Sequence, residues 1–242
     1  MMYLNERIDD LQRGGLRVIQ RADAFRFGTD AVLLADFAAP RRHDRVCDLG
    51  TGTGIIPLLL YARENTISAD AVEIQPDMAD MAARSMAMNG LNEKIRVLPG
   101  DLRSIRTLLP HARYDLVPCN PPYGKAGGTL LNPDASKRLA RHEESCAIED
   151  VACAAAWLLQ NGGRLCCVFP AARMIELSDA MRKYRMAPKR IRMVHSRVEK
   201  AAHLCLMEGM LDARPGLIIE PPLVIYDENN AYTPELRRIY GL

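Results

Sequence analysis

Short apolar segments alternate with longer segments of helical spacing along most of this chain. Five of the short segments have the apolar character of buried strands: RVCDL (45–49), SADAVEI (68–74), IRVLPGD (95–101), YDLVPCN (114–120) and RLCCVFP (164–170). The segments between them predict helices: IIPLLLYARE (55–64), PDMADMAARSMAMNG (76–90), AIEDVACAAAWLLQNGG (147–163) and AARMIELSDAMRKYR (171–185). Three later segments predict further strands, the last of them interrupted by Pro221 and Pro222: IRMVHS (191–196), HLCLMEGM (203–210) and LIIEPPLVIY (217–226).

This alternation predicts an α/β fold, with a doubly wound, mostly parallel sheet of seven strands covered by helices on both faces. Ligands bind such sheets at the carboxyl ends of the strands, where the winding reverses. The 242 residues suit one domain over 1–242. We expect a lead-in at 1–44, which covers the active site, and a substrate loop at 124–142. A short helix from Asp30 to Phe37, capped by Thr29 or Asp30, is expected in the lead-in.

Charge and composition exclude several classes of protein. The formal net charge is +2, so binding to nucleic acid would depend on local basic patches. No apolar run is long enough to span a bilayer, and the first residues lack the apolar core of a secretion signal. The seven cysteines are irregularly spaced and lack zinc-site spacing, which predicts reduced thiols, a cytoplasmic location and no metal. Cys119 lies beside the site proposed below, but no neighbouring histidine would activate it.

A glycine-rich turn follows the first predicted strand. DLGTGTG (48–54) joins that strand to a helix, and glycines without a Cβ let a ligand approach the backbone closely. Glu73 ends the next strand, where an acid can accept both hydroxyls of a ribose, and Asp101 follows the third strand. An ordinary strand-to-helix turn remains an alternative.

The spacing of the turn bears on which ligand it would hold. Dinucleotide sites use G-x-G-x-x-G at a helix N-terminus that faces pyrophosphate. This turn has G-x-G-x-G preceded by Asp48, and a carboxylate there would repel pyrophosphate. An acid suits a ligand with positive groups, such as the ammonium and sulfonium of S-adenosyl-L-methionine. We therefore expect S-adenosylmethionine, with a dinucleotide or no cofactor as alternatives.

Asn120-Pro121-Pro122-Tyr123 follows the fourth predicted strand. Two prolines remove two backbone donors and keep two carbonyl acceptors, and the Asn120 amide oxygen adds another. Such a corner fits a partner with two N–H donors, while Tyr123 offers a face for a planar ring. The corner therefore predicts methyl transfer to an exocyclic NH2, such as that of adenine, although a simple turn is an alternative.

DLGTGTG followed by NPPY resembles the class I, Rossmann-like amino-methyltransferases. Over nearly the whole chain the sequence is similar to the bacterial enzymes that methylate N6 of an adenine in the anticodon loop of a valine tRNA. The segments that carry the closer resemblance are FRFGTDAVLLADF (25–37), NPPY, ARHE (140–143), MRKYRMAPKRIRMVH (181–195) and YTPELRRIYG (232–241). Gly124 stands where members of this group often have a second aromatic residue.

The resemblance implies roles for individual residues. Asn120, Pro121, Pro122 and Tyr123 would hold the target base. The residues expected around the cofactor are Phe27, Thr29, Asp48, Gly50, Gly52, Gly54, Glu73, Ile74, Asp101, Leu102 and Asn120.

Two basic stretches are candidates for contact with a tRNA substrate. Residues 182–200 hold eight cations and one acid, Glu199; they form either a solvated surface or a phosphate-binding one. The loop 124–142 is either a mobile substrate loop or an inert connection, and His142 within it is either a base contact or a structural histidine. The predicted RNA contacts are Lys125, Lys137, Arg138, Arg141, Lys189, Arg190 and Arg192.

Other functions share the same motifs. A glutamine methyltransferase acting on release factors would also use NPPY, but its helical domain would not fit in the 47 residues before Asp48. Guanine N2 methylation of ribosomal RNA stays open. A non-catalytic RNA-binding module would be expected to lack the cofactor acids or Asn120, and this chain has both.

Overall fold

The computed structural model describes residues 3, 5–21, 28–122 and 147–242. Its strands are β1 (Glu6–Asp10), β2 (Arg17–Arg21), β3 (Arg45–Leu49), β4 (Ser68–Glu73), β5 (Ile95–Pro99), β6 (Tyr114–Cys119), β7 (Leu159–Pro170), β8 (Met186–His195), β9 (Ala202–Leu211), β10 (Ile218–Ile219) and β11 (Leu223–Val224). Its α-helices are α1 (Thr29–Ala38), α2 (Ile55–Arg63), α3 (Pro76–Met88), α4 (Ile105–Leu108), α5 (Ile148–Leu158), α6 (Met174–Lys183) and α7 (Pro234–Tyr240). Short 3₁₀ turns at Leu102–Ser104 and Ala171–Arg173 precede α4 and α6.

One large sheet positions the functional site. Its strand order is β10-β8-β9-β7-β6-β3-β4-β5, and β11 also pairs with β8. Only β9 is antiparallel to its neighbours among the strands of this sheet that the structure describes. The chain winds outward from β3 to β5, then returns to place β6 on the other side of β3. The reversal therefore lies between β3 and β6, as expected for a doubly wound sheet.

Helices cover both faces of the sheet because the strands are apolar on both faces. Neighbouring residues of one strand enter different cores: Val46 packs with α1 and α2, while Cys47 packs with α5 and α6. Leu116 and Val117 of β6 divide in the same way. This period of two, with both faces apolar, is typical of central strands buried between two helical layers.

The α/β fold is confirmed, and the first seven of the eight predicted strands correspond to β3 to β9, with differences at some boundaries. In the described part of the chain, the sheet has nine strands rather than the seven expected. The sheet also has two-residue strands, β10 and β11, one on each side of the Pro221–Pro222 interruption. The predicted helix 147–163 ends at Leu158, and Gly162 and Gly163 lie instead in the irregular start of β7. A Cβ on Gly163 would come within 3.0 Å of the Tyr114 carbonyl oxygen, which explains why glycine stands there.

The lead-in contains structure that the sequence did not predict. β1 and β2 form a hairpin whose turn includes Gly14 and Gly15, both with positive φ. The expected cap of α1 by Thr29 or Asp30 is wrong, because the helix begins at Thr29 and Gly28 is its N-cap. Within the described ranges, no helix has the length and apolarity needed to cross a membrane.

Candidate active site at the carboxyl edge of the sheet

The glycine turn and the Asn-Pro-Pro corner lie next to each other. Leu49 at the end of β3 pairs in register with Cys119 at the end of β6, and Gly50 and Asn120 directly follow them. The Cys119 thiol donates a hydrogen bond to the Leu49 carbonyl oxygen at 3.1 Å, which joins the two strand ends. Cys119 is buried and has a structural contact here. Neighbouring strands are about 4.8 Å apart, so the two motifs form one site at the winding reversal.

The glycine turn bends sharply toward β4. The backbone N–H groups of Gly50 and Thr51 both donate to the Val72 carbonyl oxygen, at 2.9 and 3.0 Å. Gly50 has φ of 74°, a left-handed conformation that favours glycine, and a Cβ built on Gly50 or Gly52 would meet no atom within 4 Å. The space above these two residues is therefore open to a ligand. Gly54 differs, because a Cβ there would overlap the Met86 methyl group, so it serves the packing of α2 on α3.

Asp48 is a fully buried carboxyl group with unmet hydrogen-bonding capacity. Neither of its oxygens, nor the buried Thr51 hydroxyl, has a hydrogen-bond partner among the described residues. Burial raises the pKa of Asp48 to about 7, with a smaller contribution in the same direction from the nearby Glu73 carboxylate. Buried acceptors without partners are uncommon, and here they indicate a missing donor or cation.

Glu73, at the end of β4, is buried and fixed by the backbone on both sides. Its Oε2 accepts the Gly52 N–H at 2.8 Å, and its Oε1 accepts the Gln75 N–H at 2.8 Å. The acid thus holds the glycine turn beside β4. A carboxylate can accept about four hydrogen bonds, so capacity for ligand hydroxyls remains.

Three predicted cofactor residues surround the end of β5 and the turn after β4. The Ile74 side chain is 45% exposed beside the Glu73 position, although it is apolar. Asp101 caps the 3₁₀ turn by accepting the Arg103 N–H, and the Arg103 guanidinium lies 2.5 Å from its carboxylate. Hydrogen bonding to Arg103 holds the pKa of Asp101 below its usual value. Leu102 packs its side chain partly into the core.

The corner after β6 contributes three described residues. Asn120 is partly buried, Pro121 is buried and Pro122 is exposed at the edge.

Thr29 begins α1, and its Oγ1 accepts a hydrogen bond from the Tyr240 hydroxyl of α7 at 3.2 Å. Tyr123 and Phe27 lie outside the described residues.

The basic residues predicted to contact RNA on β8 are engaged within the protein. Arg190 pairs with Glu208 and Glu220. Arg192 pairs with Glu235 at 2.8 Å, and the Lys189 ammonium donates to the Arg214 carbonyl oxygen. For this strand, the arginine pairs favour a solvated surface over a phosphate-binding one. The other predicted contacts, Lys125, Lys137, Arg138 and Arg141, lie outside the described residues, as does His142.

Two residues of the site were not singled out from the sequence. Thr51 lies within the glycine turn, and its hydroxyl is buried without a hydrogen-bond partner among the described residues, like the Asp48 carboxyl group. Arg103 lies two residues after Asp101 and neutralises it, a pairing that the close spacing of opposite charges could have suggested.

The site fits S-adenosylmethionine. Asp48 and Thr51 supply acceptors without partners for a cationic amino group. The open space over Gly50 and Gly52 leaves room for the ligand along the backbone, and Glu73 stands at the next strand end for a ribose. Asp101 after β5 adds a polar side chain, and Ile74 after β4 adds an exposed apolar one.

Comparisons with known proteins agree with this arrangement. The model of the methyltransferase small domain family matches residues 22–190. The chain is 32% identical over 231 residues to a tRNA1(Val) (adenine(37)-N6)-methyltransferase from Porphyromonas gingivalis, covering 91% of this chain and 89% of the relative. It is 34% identical over 216 residues to the protein of the same name from Tolumonas auensis, covering 88% of this chain and 86% of the relative.

A solved structure shows the same fold. A protein from Agrobacterium tumefaciens, described as a predicted O-methyltransferase, superposes with a TM-score of 0.73 at 24% identity, covering 88% of this chain and 96% of its own. The chain therefore belongs to the methyltransferase small domain family and, within it, to the tRNA1(Val) (adenine(37)-N6)-methyltransferases.

Proposed function

We propose that this protein transfers a methyl group from S-adenosylmethionine to N6 of adenine 37, in the anticodon loop of a valine tRNA. Family membership makes the protein an S-adenosylmethionine-dependent methyltransferase, and the names of its relatives support the tRNA adenine as the substrate. A tRNA substrate also supports a cytoplasmic location. We retain the single domain over 1–242 and its substrate loop at 124–142 as part of this proposal.

One observation carries the proposal: the in-register pairing of Leu49 with Cys119. It places the anionic glycine turn directly beside the Asn-Pro-Pro corner. When bound, S-adenosylmethionine supplies a methyl group on a positively charged sulfur. A corner that has acceptors but few donors, next to a buried carboxylate, would bring an exocyclic NH2 to that methyl group.

Different residues of the site would hold different parts of the cofactor. Asp48 and Thr51 would hold the cationic amino group of the cofactor, and Glu73 would hold its ribose. Asp101, Ile74 and Leu102 would hold its adenine ring. Gly50 and Gly52 would let the ligand lie against the backbone because no side chain occupies that space.

The Asn-Pro-Pro corner would act on the target base. The amino nitrogen of adenine is a weak nucleophile because its lone pair is delocalised into the ring. The Asn120 amide oxygen and a backbone carbonyl of the corner would accept its two N–H groups, which favours a more pyramidal nitrogen and frees the lone pair. No strong base is needed before transfer, because the N–H becomes acidic once the nitrogen carries the methyl group. Alignment of this kind contributes up to about 7 to 11 kcal/mol to a reaction barrier.

The test compares two transcripts of the valine tRNA, one with adenine and one with guanine at position 37. With labelled S-adenosylmethionine, we expect N6-methyladenosine after nuclease digestion of the first transcript and no label in the second. Label in guanosine, or label in protein when release factor is offered, would replace the adenine assignment with one of the other two activities. A protein that binds the tRNA without transferring label would be an RNA-binding module.

A further inference from the structure

The basic residues around β8 divide into two groups by their partners. Four residues of the basic segment form ion pairs with carboxylates: Lys183 with Glu149, Arg185 with Asp212, Arg190 with Glu208 and Glu220, and Arg192 with Glu235. A cation that is paired with a carboxylate contributes little positive potential to a phosphate nearby. Half of the eight cations in 182–200 are therefore poorly suited to binding RNA.

The turn between β8 and β9, residues 196–201, has a different environment. The Arg197 guanidinium donates to the Asp227 carbonyl oxygen at 3.1 Å and to the Asn230 amide oxygen, both neutral acceptors. The Asp227 carboxylate instead accepts the N–H groups of Asn229 and Ala231. The Arg197 side chain is thus held in place by neutral groups, and no carboxylate of the described residues forms an ion pair with it.

Lys200 gives the same turn a second unneutralised cation. Among the described residues its ammonium has no carboxylate partner, and the side chain is exposed. Glu199 is the only acid of the turn, and Val198 beside it is 80% exposed. The His195 ring contacts the Lys200 carbonyl oxygen at 2.7 Å, which fixes the turn to the end of β8.

The turn lies at the same edge of the sheet as the candidate active site. β8 runs parallel to β7 and β6, since both β7 and β8 are antiparallel to β9. Three strand spacings separate β8 from β6, or about 14 Å, and β8 extends four residues, about 13 Å, beyond the level of Cys119. The start of the turn is therefore roughly 19 Å from the corner, a distance of about six stacked nucleotides, so a tRNA with one base in the Asn-Pro-Pro corner could pass its backbone over the turn.

We infer that the turn 196–201 binds the phosphate backbone of the tRNA through Arg197 and Lys200, a few nucleotides from the target adenine. This inference rests on the proposed function, because it takes the target base to lie at Asn120. The backbone contact carries no sequence information; it sets affinity and register.

The experiment measures binding of unmodified valine tRNA between about 50 and 200 mM salt. Lys200→Gln is expected to reduce the slope of log affinity against log salt by about 1, and Arg197→Gln/Lys200→Gln by about 2. The KM for tRNA is expected to rise on the order of tenfold in the double variant, while the KM for S-adenosylmethionine stays at the wild-type value.

The matched control is Lys94→Gln/Arg113→Gln. It removes the same charge at the opposite edge of the sheet, because both residues are exposed and directly precede β5 and β6. The control should keep the wild-type slope. Arg197 also contacts the C-terminal segment, so the double variant could lose stability. In that case the single variant Lys200→Gln tests the inference.

Two results would separate the inference from the proposed function. If Lys200→Gln and Arg197→Gln/Lys200→Gln both keep the wild-type salt dependence of tRNA binding and the wild-type KM for tRNA, the role of the turn is overturned. The proposed methylation of adenine 37 would be unaffected by that result. A wild-type protein that binds the tRNA but transfers no methyl group would contradict the proposed function, and the same binding curves would still measure the contribution of the turn.

Discussion

Asp48 is held in a state that is unfavourable without a ligand. Its carboxyl group is fully buried at the end of β3, and no described residue donates a hydrogen bond to it. Burying such a group without a partner destabilises the folded protein. A cationic group of the cofactor would relieve that penalty, so the same side chain weakens the ligand-free protein and strengthens binding.

Asp48→Asn should stabilise the ligand-free protein at high pH and weaken cofactor binding. The pKa of Asp48 rises from 3.8 in the unfolded chain to about 7 in the folded protein. The unfolded state therefore loses its proton first, and the stability contributed by the protonated group is lost as pH rises from about 4 through about 7. Over this pH range the wild-type free energy of unfolding should fall by roughly 4 kcal/mol because of Asp48.

Urea unfolding of both proteins across this pH range measures the effect. Wild-type should lose free energy of unfolding relative to Asp48→Asn as pH rises, while Asp179→Asn, at an exposed position, should follow wild-type. Calorimetry at pH 8 should show at least tenfold weaker binding of S-adenosylmethionine to Asp48→Asn. Parallel stability curves and equal affinities would contradict the role given to Asp48.

Secondary-structure elements were predicted best where burial dictates their pattern. The central strands are apolar on both faces and the turns between them carry glycine or proline, so β3 to β7 and α2, α3 and α6 follow from the sequence. The β1–β2 hairpin was missed because β1 is half exposed and its sequence, ERIDD, is mostly charged. α7 was missed because its seven residues are too few for a clear apolar period, although Thr233 and Pro234 form a typical helix start.

The contact between α2 and α3 depends on one glycine. Gly54 and Gly162 both have positive φ, but only Gly54 lies against another helix, at Met86 and Ala82. We expect Gly54→Ala to lower the free energy of unfolding by about 1 to 3 kcal/mol more than Gly162→Ala, because both place an alanine at positive φ and only Gly54→Ala also overpacks the contact with α3. Denaturant unfolding measures the difference, and equal losses would show that α3 moves aside without penalty.

At the scale of the whole molecule, a buried ionic network joins the sheet to α1. Arg164 of β7 contacts Asp44 at 3.2 Å and Glu208 of β9 at 3.3 Å, and donates to the Ala38 carbonyl oxygen at 2.9 Å. Arg190 of β8 donates to the Phe37 carbonyl oxygen at 2.8 Å. The two arginines thus satisfy carbonyls at the C-terminus of α1.

This network also marks the limit of prediction from the sequence. The ends of parallel strands indicated Asp48, Glu73, Asp101 and Asn120, because strand ends meet at one edge whatever the details of packing. Arg164 and Asp44 are 120 residues apart, and no local pattern indicates that they meet. For the same reason Arg190 was interpreted as a phosphate contact, since its carboxylate partners come from two other segments.

Arg164→Met should strongly destabilise the protein. It leaves the buried Asp44 carboxylate without a cation and the buried Glu208 carboxylate with Arg190 as its remaining partner, which we expect to lower the free energy of unfolding by about 3 to 5 kcal/mol. The control variant is Arg185→Met, which breaks an exposed ion pair with Asp212. It should lower the free energy of unfolding by at most about 1 kcal/mol. Similar losses in the two variants, measured by thermal unfolding, would mean that water or local rearrangement compensates the buried charges.

The central claim is that the corner after β6 binds the amino group of the target base, while the glycine turn beside it binds the cofactor. Asn120→Ala tests this most directly, with single-turnover methyl transfer to the valine tRNA and calorimetric binding of S-adenosylmethionine measured on the same protein. We predict that transfer is abolished and that cofactor affinity stays within a few fold of wild-type. Retained transfer, or a large loss of cofactor affinity, would contradict the account.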